Sequence, residues 1–166
     1  MTPRTIPCVV IAAALLATAC GDSDETTATT IDAATLETDR IVEAWVEAWM
    51  VEDVDGVADL YAEDGTYADI GCPFEMHGRP AIRDMVAGHL VWTDYTVVER
   101  VETTYTDSGA VVQWVWEGTN DGDPFTMEPS TTFEIDNGLI VRSTDAYERS
   151  DAPPGWEQDC IDYAGE

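Results

Sequence analysis

The sequence contains no lysine, and its seven basic residues, all arginine, stand against 34 aspartates and glutamates. The formal net charge is −27 at pH 7. A surface this acidic repels phosphate groups, so the composition excludes nucleic acids as partners and excludes electrostatic attachment to anionic membranes. The sequence also lacks a phosphate-cradling glycine loop and a G-x-S-x-G motif, which leaves nucleotide and serine-hydrolase chemistry unsupported.

Metal and redox motifs are missing as well. The two histidines, His77 and His89, are too few and too far apart for a motif such as H-E-x-x-H, and no C-x-x-C is present. We therefore expect no metal site and no cofactor, and we place His89 on the surface of a helix. What the chain does contain is enough apolar residues, 45% of 166, for one folded domain.

The first twenty residues are typical of an export signal. Arg4 precedes an apolar stretch, residues 9–19, that is too short to span a bilayer. The stretch ends in LATAC at 16–20, which resembles the lipobox of a bacterial lipoprotein, in which Cys20 is lipidated and becomes the new N-terminus. Cleavage at Ala19, as in an ordinary secretory signal, is the alternative. We expect a signal peptide at 1–20, a flexible linker at 21–35 and an extracytoplasmic protein that contacts the membrane through a lipid on Cys20 alone.

Export decides how the remaining cysteines are interpreted. Cys8 leaves with the signal and Cys20 is the proposed anchor, so Cys72 and Cys160 form the one possible pair in an oxidising compartment. We predict a disulfide between them, and two unrelated thiols are the alternative.

The mature chain reads as helices followed by strands. Helical spacing predicts a first helix around Trp45, a second entered at Asp53 or Asp55, and a third after Pro80. Period-two patterns predict strands at 66–70, 93–106, 110–117, 125–135 and 139–148, separated by turn signals such as 136–138 (DNG). This order predicts an α+β fold, with helices on one face of a curved, mainly antiparallel sheet. The domain spans 36–150, and a tail at 151–166 docks on it.

Two segments, 55–67 (DGVADLYAEDGTY) and 77–83 (HGRPAIR), together with the strand-rich half, resemble the SnoaL-like polyketide cyclase and ketosteroid isomerase group. That group belongs to the nuclear transport factor 2-like superfamily, and the resemblance implies a cone-shaped fold around a cavity. It matches Asp69 to the general base of ketosteroid isomerases and Asp145 to the acid/base aspartate of polyketide cyclases. The companion groups of both arrangements are replaced, by Trp45 and by Thr131.

Burial in an apolar cone raises the pKa of a carboxyl group toward the range that is useful for proton transfer. Strand alternation places Asp145 on one face with Val141, Ser143 and Tyr147, and it places Ile135 on the same face as Thr131 and Phe133. Asp69 and Asp145 are therefore the candidate catalytic residues, with solvated surface acids as the alternative interpretation. The candidate ligand-binding residues, for which core packing is the alternative role, are Trp45, Tyr67, Trp114, Trp116, Thr131 and Phe133.

Two functions fit these features. One is a lipid-anchored domain that binds a small apolar molecule, or a protein partner, in or beside the cavity, and the missing companions favour it. The other is a cofactor-independent isomerase, cyclase, lyase or hydrolase that uses Asp145, Asp69 or both as general acid/base. Two carboxylates close together in an enclosed cavity would favour the enzyme. We also expect a homodimer formed through the sheet.

Overall fold

The computed structural model describes residues 32–72, 74–148 and 152. The predicted signal peptide, Cys20 and the first part of the linker lie outside the described residues, as do Cys160 and nearly all of the tail. Those predictions stay predictions. No helix within the described ranges combines the length and apolarity that a membrane crossing requires.

The described residues contain three helices: α1 (Ala33–Met50), α2 (Val54–Asp59) and, after two strands, α3 (Arg79–His89). Their starts follow from local chemistry. Asp32 caps α1 by accepting from the backbone N–H of Thr35 at 2.7 Å, and Asp53 caps α2 by accepting from the backbone N–H of Gly56 at 2.9 Å. Helix α3 has Pro80 in its first turn, as the sequence predicts.

Seven strands form one mixed sheet: β1 (Tyr61–Asp69), β2 (Phe74–His77), β3 (Thr93–Thr106), β4 (Gly109–Asn120), β5 (Asp123–Met127), β6 (Ser130–Asp136) and β7 (Leu139–Ala146). The strand order is β2-β1-β7-β6-β4-β3, and β5 pairs with β4. Among the paired strands, β1 and β7 are parallel and the other pairs are antiparallel. The α+β class with a mainly antiparallel sheet is therefore confirmed.

The core lies between the helices and one face of the sheet. The α1 residues Val42 and Trp45 and the α3 residue Ile82 are almost fully buried, as are the sheet residues Trp114 and Phe133. Trp45 packs on both sheet residues, with ring centroids 5.7 Å from Trp114 and 5.4 Å from Phe133. This packing leaves the end of the sheet that carries the β1 and β7 C-termini less completely filled.

Four details of the sheet differ from the sequence-based expectation. The segment predicted as one strand, 125–135, is two strands separated at Glu128 and Pro129, because proline has no N–H to donate to a ladder. Strand β2 was not predicted at all, and Tyr61, expected in the second helix, begins β1.

The fourth difference concerns Val141. The pairing of β6 with β7 shifts register between Glu134 and Ile135, so Ile140 is fully buried and Val141 is only half-buried. A bulge of this kind reverses the alternation on one side of itself. Beyond the bulge the predicted alternation holds, and Ser143 and Asp145 are both buried.

Candidate acid–base site in an aromatic cavity

The parallel pairing of β1 with β7 brings the two candidate catalytic residues together. Asp69 and Asp145 are register partners, each at the end of its strand. Both are buried, with 5% and 2% of their surface exposed, although aspartate is rarely buried without a partner. Both line the same cavity.

This cavity is small and largely aromatic. Its volume is about 40 Å³, which is room for roughly three water molecules or a ligand of a few heavy atoms. Besides the two aspartates, the walls include Met85 from α3 and Val98 from β3. Most of the other lining residues are aromatic: Trp45, Trp49, Tyr67, Phe74, Tyr95, Trp116 and Tyr147.

Asp145 is held on both carboxylate oxygens. The hydroxyl of Thr131 donates to Oδ1 at 2.6 Å, and the phenol of Tyr67 donates to Oδ2 at 2.7 Å. Thr131 in turn accepts from the indole N–H of Trp114 at 3.0 Å, which directs its own proton toward Asp145. Burial raises the pKa of Asp145 to about 6, and the hydrogen bonds from Thr131 and Tyr67 oppose the rise.

Asp69 has weaker partners. Its Oδ1 accepts from the backbone N–H of Cys72 at 2.8 Å, and its Oδ2 accepts from the phenol of Tyr147 at 3.1 Å. Burial is the main cause that raises the pKa of Asp69 to about 7, the Cys72 N–H opposes the rise, and the charge of Asp145 adds to it. The pKa values of both aspartates are therefore raised toward neutral pH, and that of Asp69 is the higher.

The predicted ligand-binding residues divide into two groups. Trp45, Tyr67 and Trp116 line the cavity. Trp114, Thr131 and Phe133 are almost fully buried behind its wall. The second group supports the site, since Thr131 fixes Asp145 and Trp114 fixes Thr131.

The sequence analysis did not name seven of the lining residues as part of a site: Trp49, Phe74, Met85, His89, Tyr95, Val98 and Tyr147. The expectation that His89 lies on the helix surface is wrong. Its Nε2 lies 2.9 Å from the phenol oxygen of Tyr95, the two rings stack at 5.8 Å, and burial lowers the pKa of His89 to about 4. A signal was available, because position 89 continues the buried stripe of α3 that Ile82 begins.

Two cavity-lining tryptophans have unsatisfied donors. The indole N–H groups of Trp49 and Trp116 are buried and have no hydrogen-bond partner among the described residues. An unmade hydrogen bond of this kind costs about 1–3 kcal/mol. Water in the cavity, or an acceptor on a ligand, would satisfy such donors.

The donor set is unsuited to a metal. Within residues 32–72, 74–148 and 152, no group of three or more histidine, cysteine, aspartate or glutamate side chains converges. Across the same ranges, the lining of the cavity includes no arginine.

Helices on one face of a curved mixed sheet, with a cavity at the end of the sheet, define the nuclear transport factor 2-like class. The chain belongs to the SnoaL-like domain family, whose family model matches residues 42–143. The resemblance stated from the sequence is thereby confirmed. No curated protein matches the chain significantly.

Solved structures agree with this assignment. A Catenulispora acidiphila protein with a ketosteroid isomerase-like fold, solved in complex with trimethylamine, is 25% identical, with a TM-score of 0.63, and the match covers 67% of this chain and 87% of that one. A proposed polyketide cyclase from Sinorhizobium meliloti is 27% identical, with a TM-score of 0.55 and coverage of 66% and 98%. An epoxide hydrolase from M. tuberculosis shares the fold at 19% identity, with a TM-score of 0.63 and coverage of 70% and 86%.

Proposed function

We propose that this SnoaL-like domain is a cofactor-independent acid–base enzyme that acts on a small substrate inside the aromatic cavity. The observation that carries the proposal is that Asp69 and Asp145 are buried side by side and line one cavity. Buried carboxyl groups with raised pKa values in a cavity are typical of catalytic sites. A cavity meant only for a neutral apolar molecule has no use for two buried acids, whose desolvation is costly.

The two carboxylates have different environments and so take different roles. Asp145 accepts two strong hydrogen bonds and is the better anion. Asp69, with one backbone donor and the longer bond from Tyr147, has the higher pKa and is the general base. The phenols of Tyr67 and Tyr147 donate to the two aspartates and so position the pair.

The reaction that fits this pair is proton transfer at a carbon acid. The Asp69 carboxylate takes a proton from the carbon beside a carbonyl group, and the electron pair of that C–H bond moves to form an enolate. Protonated Asp69 then returns the proton to the same or a neighbouring carbon, which gives exchange or isomerisation without an oxidant. The same base could instead take a proton from water that attacks an electrophilic ring.

The cavity restricts the substrate to a small molecule. A volume of about 40 Å³ leaves no room for a steroid without movement of the walls. The Catenulispora acidiphila relative, solved with trimethylamine, supports a ligand of this size in the same fold.

Deuterium exchange tests the proposal without knowledge of the natural substrate. Cyclopentanone is incubated with the full chain in D₂O at pH 8, and loss of its α-protons is followed by NMR. We expect catalysed exchange that falls by about 10²–10⁴-fold in Asp69→Asn. Asp64→Asn, an exposed acid on the same strand, is the matched control and should exchange like wild type. Equal rates for wild type and Asp69→Asn contradict the proposal.

Binding without catalysis is the second candidate. It is favoured by the saturated hydrogen bonding of Asp145, which leaves neither of its oxygens without a donor. If no exchange occurs, native mass spectrometry of the purified chain should then reveal a retained small molecule.

We also propose that the domain works outside the cytoplasm, held to the membrane by a lipid on Cys20. The LATAC segment at 16–20 supports this location. Cys20→Ala should release the protein from the membrane fraction, whereas Cys8→Ala should leave it bound. Retention of Cys20→Ala in the membrane fraction would contradict the lipid anchor.

A further inference from the structure

We propose that the molecule which enters the aromatic cavity is a small alkylammonium cation, or carries such a group. The inference rests on the proposed function in one respect, since both require a small molecule in the same cavity. It adds the chemical class of that molecule. The charge of the cavity, the arrangement of its rings and the charge of the whole chain carry the argument.

The first step is the charge balance. Asp69 and Asp145 line the cavity, and no arginine of the described residues lies beside them. The donors on Asp145 are the neutral hydroxyls of Tyr67 and Thr131, which hold the anion in place but do not neutralise it. A neutral ligand would displace water from the carboxylates without compensating their charge, whereas a cation would compensate it.

The second step is the arrangement of the rings. Tyr95 meets Trp116 at 5.7 Å with an interplanar angle of 76°, and it meets Trp49 at 6.0 Å with an angle of 82°. These edge-to-face contacts hold the three rings against one another in the wall of the cavity. Cations are attracted to aromatic faces, and methylated ammonium groups are bound by aromatic cages for this reason.

The third step separates an organic cation from an inorganic one. Calcium and magnesium require several oxygen ligands or retained water, which walls of tryptophan and tyrosine do not supply. An alkylammonium ion spreads its charge over methyl groups and so gains from the apolar walls as well as from the carboxylates. The net charge of −27 also concentrates cations around the protein and repels anions.

Binding should follow the charge of the two carboxylates. The titratable groups that face the cavity are Tyr67 and Asp69 of β1, His89 of α3, Tyr95 of β3, Asp145 of β7 and Tyr147. Burial raises the pKa of Tyr67 and of Tyr95, and it lowers the pKa of His89 to about 4. Between pH 5 and pH 8, Asp69 and Asp145 therefore account for the change of charge in the cavity.

Tetramethylammonium is the probe, because its own charge does not depend on pH. The full chain is titrated with tetramethylammonium chloride at constant ionic strength, and binding is followed by tryptophan fluorescence and calorimetry. Tert-butanol, a neutral molecule of similar shape, is titrated in parallel. We expect saturable binding of the cation that is at least about tenfold tighter than that of tert-butanol and that weakens at least about tenfold from pH 8 to pH 5.

Variants locate the site. Asp145→Asn should weaken tetramethylammonium binding at least about tenfold, whereas Glu134→Gln, which removes one exposed charge from β6, should bind like wild type. Circular dichroism checks that Asp145→Asn is folded. If Asp145→Asn does not fold, Trp116→Leu is measured instead, and we expect it to weaken tetramethylammonium binding by the same factor.

Three results overturn the inference: no saturable binding of tetramethylammonium, equal affinity for tert-butanol, or an equal loss in Glu134→Gln. These outcomes are separate from failure of the proposed enzyme. If the chain exchanges cyclopentanone protons but does not bind tetramethylammonium, the proposed enzyme activity stands and the inference of a cationic ligand fails. If the chain binds tetramethylammonium but does not exchange cyclopentanone protons, the inference of a cationic ligand stands and the proposed enzyme activity fails.

Discussion

The phenol of Tyr67 donates to Oδ2 of Asp145 across 2.7 Å, although the two residues are not register partners. In the parallel β1–β7 pair, Tyr67 lies opposite Ser143, and Asp145 lies two residues further along, on the same face of the sheet. The side chains reach diagonally across the pair. Through this bond, Tyr67 of β1 stabilises the ionised form of Asp145 of β7.

Tyr67→Phe should therefore change the titration of Asp145. The lost donor removes a hydrogen bond that favours the carboxylate, so the pKa of Asp145 should rise above its value of about 6. The free energy of unfolding should fall by about 1–3 kcal/mol at pH 8 and by less at pH 5, where the carboxyl group is protonated. Carboxyl ¹³C NMR titration and urea denaturation measure the two effects. An unchanged pKa in Tyr67→Phe would show that the bond does not hold the anion.

The stability of the domain should fall as the pH rises from about 5 to 8. The pKa values of Asp69 and Asp145 in the folded state, about 7 and about 6, are above the ordinary aspartate value of 3.8. The folded state therefore binds more protons than the unfolded state in this range, and its advantage is lost as the pH passes through the folded pKa values. The lowered pKa of His89 acts in the opposite direction between about 4 and 6.5, but the two aspartates outweigh it.

Comparison of variants isolates this effect from the repulsion among surface acids. Urea denaturation of wild type at pH 5, 6, 7 and 8 should give a fall of a few kcal/mol, and Asp69→Asn should give a shallower fall. Asp64→Asn, which removes an exposed acid, should retain the wild-type slope. If the unfolding free energy of Asp69→Asn falls with pH as steeply as that of wild type, the pKa of Asp69 is not raised in the folded state.

Gly71→Ala should disturb the partner of Asp69. A Cβ atom at Gly71 would overlap two ring carbons of Tyr147, so the ring must move. We expect a loss of about 1–3 kcal/mol in unfolding free energy and a further rise in the pKa of Asp69, because the Tyr147 bond lowers it. A double-mutant cycle with Tyr147→Leu is the control. If Gly71→Ala costs as much with Tyr147→Leu as without it, the ring is not the cause.

Cys72 is buried beside the Asp69 carboxylate, and we predict that it is bonded to Cys160. Closure of so long a loop should contribute roughly 4 kcal/mol to the free energy of unfolding. Cys72→Ser, Cys160→Ser and the double variant should therefore lose equal stability, and reductant should affect wild type alone. Reaction of both thiols with a thiol reagent in the folded, unreduced protein would exclude the bond.

A homodimer through the outer face of the sheet stays a prediction as well. A groove on the sheet includes the exposed side chain of Val101, together with Val115 and Pro129. Val101→Glu should convert the dimer to a monomer because it buries a charge at the interface. Light scattering at tens of micromolar measures the mass, and a monomeric wild type would contradict the prediction.

The fold was predictable because its signals are local. Helix starts at Asp53 and Pro80 and the turn at 136–138 depend on residues that are neighbours in the sequence. Strand β2 is four residues long and is stabilised mainly by its pairing with β1, which no local pattern reveals. The bulge beside Ile140 is likewise set by the register of two strands.

The two aspartates of the site could be predicted from the sequence, but the hydrogen bonds that they accept could not. Asp69 and Asp145 were matched by position, whereas the phenols that donate to them come from Tyr67 and Tyr147, 78 residues away in each case. His89 was misplaced because a histidine on a helix is usually assigned to solvent. Its burial depends on the ring of Tyr95, which belongs to another element.

The parallel pairing of the first and last strands also determines the order in which the domain can be built. Residues 61–69 cannot complete their ladder until residues 139–146 have been synthesised and have arrived beside them. Contacts so distant in the chain have a high entropic cost of closure and form late in folding. A nascent chain that has not yet released residues 139–146 therefore holds Asp69 and Asp145 far apart and hydrated, and the cost of burying them arises only after the β7 strand has paired.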